Sequence, residues 1–435
     1  MARSKFEYVN DRGDTALSLA ISLRVVDSIR LLVNSGAKLG RTYLEHGKMR
    51  FFSQGSNSDT TTKKIICILV RVFAQRRKEL LSFALRHLPM NHITSLQLQD
   101  KKILDHEAQW VLKLLKLYNI HFPSYLGDSE SDLSNEFNGV GVNECIHHVI
   151  RRINEDRGDS VYHFGNIEPF IAQKFWDERF RRIVKDRWSY TPLMTISFDY
   201  LSFVGLKYLN LLVYRLDMIA WFEEHGENIH SWHRFSNDES GPQFATIHQL
   251  VHMLGRCLYF PSEITLSQHN KGYLENLLSD RIEDACTCLC SEGGCTPASI
   301  FIRTSLGCHP MFIKEYMTDY IVDLPERPTL DIIRVITLEE LGMKHRCCNF
   351  DGRKVEPMDI DEAKEIRAED RYLAVQLNRL MAEFTSQLQD THLPLARFIT
   401  ENWELRMELW RNERDELTEE DRREFQEIGV WLQEP

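Results

Sequence analysis

The sequence predicts a mainly α-helical protein, on three observations. Apolar residues recur at the spacing of one helix face along most of the chain. Strand-like alternation and β-branched runs bounded by glycine turns are nearly absent. Near the start, a threonine-capped short helix is followed by a second helix that stops at glycine, and this pattern returns near residue 190. The 435 residues are 43% hydrophobic and 27% charged, which excludes a disordered or fibrous chain. At roughly 150 residues per domain, the length suits two to four domains with real cores. Lys+Arg 53 against Asp+Glu 64 gives a net charge of −11, which argues against general nucleic-acid binding, where phosphate neutralisation needs a basic face.

The elements follow in order. Asp11–Gly13 is turn chemistry, with Gly13 able to take positive φ. Thr15 caps a helix whose apolar face includes Leu17 and Ala20. A second helix buries Val26, Ile29, Leu32 and Val33 and stops at Gly36, a good residue for a left-handed helix end. Gln54–Thr62 and Gly127–Gly141 read as exposed loops, and Lys64–Leu88 and His106–Leu117 as helices. Ser189-Tyr-Thr-Pro-Leu-Met and Leu216-Asp-Met-Ile-Ala-Trp-Phe-Glu-Glu-His-Gly repeat the first pair around an aromatic insertion, Phe198–Tyr214. Thr246-Ile-His-Gln-Leu-Val-His-Met-Leu-Gly reads as a third, worn copy of the first helix. The longest apolar runs are Ile65–Val70 and Leu206–Phe222. The second carries Lys207, Arg215 and Asp217 and falls short of the ~20 residues of a membrane span, so both are expected as buried helices.

Turn, short helix, second helix and glycine stop make up the ~33-residue ankyrin unit, and the first copy resembles that family. Gly13-Asp-Thr-Ala-Leu-Ser-Leu-Ala stands where the family has G-x-T-P-L-H-x-A, departing at the Pro and His positions, and Asn34-Ser-Gly-Ala-Lys-Leu matches its closing segment. The resemblance implies a degenerate ankyrin-like helical solenoid. Isolated repeats cannot bury their own faces, so these must lean on the intervening helices. The chain then divides into residues 1–45, an ankyrin unit; 46–165, helices with loops; 166–258, degenerate ankyrin-like repeats; 259–358, a Cys-rich module; and 359–435, an acidic helical segment.

That last segment holds 20 Asp/Glu against 10 Lys/Arg, so −10 of the chain's −11 lies there. Asp359-Ile-Asp-Glu can cap a helix with Leu373, Leu377, Leu380, Met381 and Phe384 at helical spacing. Thr418-Glu-Glu-Asp can cap another, with Phe425, Ile428 and Trp431 as its stripe. Two readings stand: a docking tail for a basic partner, or a solvated helix pair packed on the body.

The segment furthest from background is Asp284-Ala-Cys-Thr-Cys-Leu-Cys-Ser-Glu-Gly-Gly-Cys-Thr-Pro. Four of the ten cysteines, Cys286, Cys288, Cys290 and Cys295, fall within ten residues there. In an extended stretch the first three aim their sulfurs to one side, and Gly293-Gly294 turns the chain to return Cys295. Some fifty residues on, His345, Cys347 and Cys348 offer three more ligands, of which adjacent Cys347 and Cys348 are awkward as a pair on one ion. Such S₄ or S₃N sets suit a structural zinc closed to water, tying residues 286–295 to 345–348. The alternatives are a reduced loop without metal, or disulfides. Cys308-His309 reads better as a loop pair than as ligands.

A second resemblance rests on spaced motifs over roughly residues 60–350. Asp156-Arg-Gly-Asp-Ser-Val-Tyr-His, the Thr-Pro-Leu segment, Asp284-x-Cys-x-Cys-x-Cys-x4-Cys-x-Pro, and Leu338–Cys348 ending His-x-Cys-Cys look like a group of uncharacterised fungal ankyrin-repeat-containing proteins. The likeness implies degenerate ankyrin helices followed by a Cys-rich helical module, and no activity.

Catalytic constellations fail. Walker A, G-x-G-x-x-G and G-x-S-x-G segments are missing. His248 and His252 have the spacing of a zincin pair, but Gln249 holds the place of the general base, so a satisfied helical pair is expected. Cys145 beside His147-His148 lacks an activating environment. Trp176, Trp188 and Trp221 read as core. Met1-Ala-Arg-Ser-Lys-Phe-Glu carries no apolar signal region, so the cysteines are expected in a reducing compartment, cytoplasmic by default or else nuclear. The function expected is a non-enzymatic scaffold for a protein partner, with no nucleic acid or membrane. The alternatives are a metal-dependent or thiol-based enzyme centred on Cys286–Cys348, and a regulatory piece of a larger repeat assembly.

Overall fold

The computed structural model describes chiefly residues 14–37, 60–96, 105–126, 169–178, 191–194, 211–234, 243–257, 266–308, 324–343, 349–351, 354–356 and 370–415; Ala285, Thr287 and Glu292 are among the residues outside that set. These residues are mainly helical, with two antiparallel hairpins of three-residue strands. The strands are too short for alternation to register in the sequence. No described helix is long and apolar enough to cross a membrane. The chain forms two compact units, Met1–Glu227 and Asn228–Pro435. The expected segment 166–258 is therefore divided between them.

In the first unit, α1 (Ala16–Ser22) begins at Thr15, whose side-chain oxygen accepts from the Ser18 N–H at 3.1 Å. Leu17, Ala20 and Ile21 are buried against α2 (Val26–Asn34), which buries Ile29 and Val33 while Val26 and Leu32 are half-buried. Gly36 takes φ +88 just past the helix, the left-handed conformation that glycine adopts without cost. The long α3 (Thr60–His87) is the spine: it packs on α2, on α5 (Asp105–Leu117) and on α6 (Pro169–Asp177). The short α4 (Met90–Ser95) follows, and Leu80, Ala84, Ile93, Val111 and Leu115 form one buried cluster.

Arg76 of α3 is buried, and its guanidinium donates to the carbonyls of Val33 at 3.1 Å and Ala37 at 2.7 Å. A cation thereby satisfies carbonyls at the C-terminal end of α2, where the helix dipole is negative. Arg76→Met keeps the volume and removes these charge-assisted bonds, and is expected to cost about 3 kcal/mol in urea unfolding. A loss near zero would show that the bonds contribute nothing net.

The segment expected to repeat the pair is partly described. Thr191–Met194 is buried and the Thr191 hydroxyl accepts from the Met194 N–H at 3.3 Å, as a cap does. Further on, α7 (Leu211–Glu224) ends before Gly226 at φ +95. Trp221 is buried, stacks on His225 at 4.0 Å and donates to Gln173 of α6 at 2.9 Å. Trp221 therefore sits in the core as expected; Trp188 lies outside the described residues, as do Cys145 and His147-His148.

In the second unit, the hairpin β1 (Trp232–Arg234) and β2 (Gln243–Ala245) leads into α8 (Thr246–Cys257), which is buried along most of its length. After α9 (Gln268–Leu278) and the Cys-rich loop come α10 (Pro297–Cys308) and α11 (Glu326–Glu340). The largest helix contact is between α8 and α10, at Gly255, where a Cβ would lie 2.7 Å from the Phe301 carbonyl oxygen. A second hairpin, β3 (Asn349–Asp351) with β4 (Lys354–Glu356), precedes α12 (Arg371–Thr391).

On α12, Leu377, Leu380, Met381 and Phe384 are buried and Leu373 is half-buried, with α11 alongside. α13 (Leu395–Phe398) runs through a π-helical turn (Ile399–Trp403) into α14 (Glu404–Asp415). Trp403 is buried and donates to the Thr337 hydroxyl of α11 at 2.9 Å. Arg406 pairs with Glu383 at 2.7 Å and Arg411 with Glu340 at 2.8 Å. For residues 370–415 the arrangement is the packed one, with Glu383 and Glu401 met by arginines of the same segment and Arg411 meeting Glu340 of α11. The expected cap Asp359-Ile-Asp-Glu and the stripe Phe425, Ile428 and Trp431 lie outside the described residues.

Candidate metal centre

The loop between α9 and α10 is built around Asp284. Its Oδ1 accepts from the backbone N–H of Cys286 at 2.9 Å and of Cys295 at 2.7 Å, while its own N–H donates to the Cys295 carbonyl at 3.2 Å. The loop thus closes on itself across eleven residues. Gly293 and Gly294 make the return, as the sequence predicts. At Gly294 (φ +152) a Cβ would stand 2.1 Å from the Asp284 carbonyl oxygen, so only glycine lets the two backbones meet.

Outside contacts hold the loop in place. His248 of α8 is buried; its Nε2 donates to the Ile282 carbonyl at 3.1 Å and its Nδ1 accepts from the Ala245 N–H at 3.3 Å. A carbonyl only accepts, so the ring carries its proton on Nε2 and is neutral. Burial pushes its pKa down to about 4. His252, one turn on, is lowered to about 3 by burial and by Arg303 and Arg256. His248 is satisfied on both ring nitrogens and serves as a loop anchor. Arg334 of α11 donates to the Leu289 carbonyl at 2.8 Å and to Asn378 of α12 at 3.0 Å. Thr296 accepts from the Ser299 N–H at 3.3 Å and donates to Asp331 at 2.9 Å, which starts α10 immediately after Cys295.

A ligand atom of Asp284 and the sulfurs of Cys286 and Cys295 lie within 4.8 Å of one another. The Cys290 sulfur is 3.5 Å from that of Cys295, and both side chains are about 1% exposed. None of the four sulfurs in the segment is in a disulfide. Cys288 does not join the triad. Its N–H donates to the Cys286 sulfur at 3.4 Å, which curls the chain and breaks the alternation expected of an extended run. Burial raises the Asp284 carboxyl to about 6 against the pull of the two N–H bonds, and Arg303 acts in the same direction as those bonds.

Of the expected ligands the structure brings Cys286 and Cys295 together and adds Asp284, with the Cys290 sulfur beside that of Cys295. Asp284 stands two residues before Cys286, in its register; that was the only signal for it. His345, Cys347 and Cys348, with His309 and the side chain of Cys308, lie outside the described residues.

The comparisons with known proteins are blank: no family model, no curated protein and no solved structure matches the chain.

Proposed function

We propose that the protein is a non-catalytic helical scaffold of the ankyrin-like type that binds another protein, and that its Cys-rich loop is braced by a structural zinc ion. The observation that carries the scaffold reading is the first helix pair. It buries Leu17, Ile21, Ile29 and Val33, yet Leu19, Leu23, Val25 and Leu31 are 45%, 64%, 43% and 68% exposed. Isolated exposed leucines are ordinary, but four aliphatic side chains on the helical hairpin Ala16–Asn34 favour a binding surface. A partner of matching apolar character would cover them.

The zinc reading draws support from a carboxylate oxygen and two sulfurs gathered in one loop, with Asp284, Cys290 and Cys295 almost entirely buried. Thiolates with a carboxylate suit Zn²⁺ rather than Ca²⁺ or Mg²⁺. Burial favours a closed structural site over a catalytic one, which keeps a position open to water or substrate. The same burial disfavours Cys290 and Cys295 as nucleophiles, which must meet their substrate.

Two experiments test this. A photo-crosslinker at Leu31 is expected to trap one discrete protein, and the Leu23→Glu, Leu31→Glu double variant to lose it while unfolding within about 0.5 kcal/mol of the parent. Failure to trap any protein, or a variant that binds as before, overturns the scaffold. Elemental analysis with thiol titration tests the metal. About one zinc per chain is expected, with the loop cysteines reacting with a thiol reagent only after chelation and the melting temperature falling on its removal. Metal-free protein with every thiol reactive overturns it.

A further inference from the structure

We infer that the metal is held by an oxygen of Asp284 with the sulfurs of Cys286, Cys290 and Cys295, a ligand set drawn from residues 284–295 alone. This rests on the zinc reading above and names its ligands. Asp284 is 5% exposed, and its Oδ2 is buried without a hydrogen-bond partner among the described residues, whereas Oδ1 already accepts two N–H bonds. A buried carboxylate oxygen with no donor is costly, and a cation at that point satisfies it. That oxygen belongs to the residue whose ligand atom lies within 4.8 Å of the Cys286 and Cys295 sulfurs.

Cys290, 3.5 Å from Cys295 though outside the 4.8 Å group of the other three, is the fourth donor that the ion would draw in. Two sulfurs on one tetrahedral zinc stand about 3.8 Å apart, given Zn–S bonds of roughly 2.3 Å. The Cys288 N–H donates to the Cys286 sulfur, and Cys295 immediately precedes Thr296, the cap of α10. Three thiolates and a carboxylate leave the zinc complex negative, and Arg334, bound to the Leu289 carbonyl, and Arg303 supply compensating charge. A zinc so held closes a twelve-residue loop and leaves His345, Cys347 and Cys348 to other work.

The test uses the full chain. X-ray absorption at the zinc edge of the parent protein is expected to show three sulfurs and one oxygen. In competition with a chromophoric chelator, Asp284→Asn is expected to weaken zinc binding at least roughly tenfold. The asparagine keeps an oxygen for both N–H bonds, so the loop retains its backbone bonds. The His345→Ala, Cys347→Ser, Cys348→Ser triple variant is expected to bind zinc as the parent does. A four-sulfur shell, or weakening by the triple variant and not by Asp284→Asn, overturns the ligand set and leaves the zinc reading intact. Protein that neither carries nor takes up zinc removes both.

Discussion

Gly294→Ala is expected to cost about 3 kcal/mol or more and, on the zinc reading, to abolish metal binding by the loop, the largest effect for so small a change. The new methyl would sit 2.1 Å from the Asp284 carbonyl oxygen, a contact no side-chain rotation relieves, and φ +152 is strained for alanine besides. Separating the backbones breaks the Cys295 N–H bond to Asp284 Oδ1 and the return bond from the Asp284 N–H. Gly293→Ala is the control: the nearest atoms to its methyl belong to the Glu283 carboxylate, a partly exposed side-chain end paired with Arg327 that can shift, and it should cost less than about 1 kcal/mol. Urea unfolding and zinc stoichiometry of the two variants check this, and equal losses would show that the close approach at Gly294 does not matter.

The second large effect is acid lability. His248 is neutral when folded, with its pKa lowered from 6.5 to about 4, so in acid the unfolded chain binds a proton that the folded chain refuses. The stability from this group is complete above about pH 6.5, falls as pH drops below it, and is fully lost below about pH 4. At ~1.4 kcal/mol per unit, the whole change is about 3 kcal/mol. In metal-free protein Asp284, raised to about 6, works the other way: its folded form gains a proton between about pH 6 and pH 4 and offsets part of the loss. Urea midpoints measured across that range should therefore fall less steeply in His248→Gln than in the parent, by up to one proton's worth of slope. Identical slopes would mean that the ring is charged in the folded state.

Local cues were legible in the sequence where one side chain or one backbone angle decides the outcome. Thr15 and Thr191 accept the N–H three residues on, and Gly36 and Gly226 take the left-handed angle, because each needs only its own neighbours. The Leu377–Phe384 stripe was legible for the same reason: period alone marks the buried face. The π-helical turn before Trp403 was not, because it places an indole on Thr337, 66 residues earlier, and no local pattern encodes that partner.

The site divided in the same way. The glycine return and the clustering of thiols could be read, since both are short-range. Asp284 could not, because a carboxylate before a cysteine is ordinary until burial strips it of water. His248 was read as a satisfied helical residue, but its hold on the Ile282 carbonyl needs the hairpin and the loop both in place.

The contact between Arg76 and the end of α2 has a consequence for the order in which the chain acquires structure. The guanidinium reaches carbonyls 43 and 39 residues upstream, so the opening hairpin is finished only once much of the long helix exists. During synthesis that hairpin would leave the ribosome with its last turn frayed, its leucines exposed on both faces, and would mature when the arginine arrives. A truncation ending at residue 59 should accordingly yield a fluctuating peptide rather than a miniature domain.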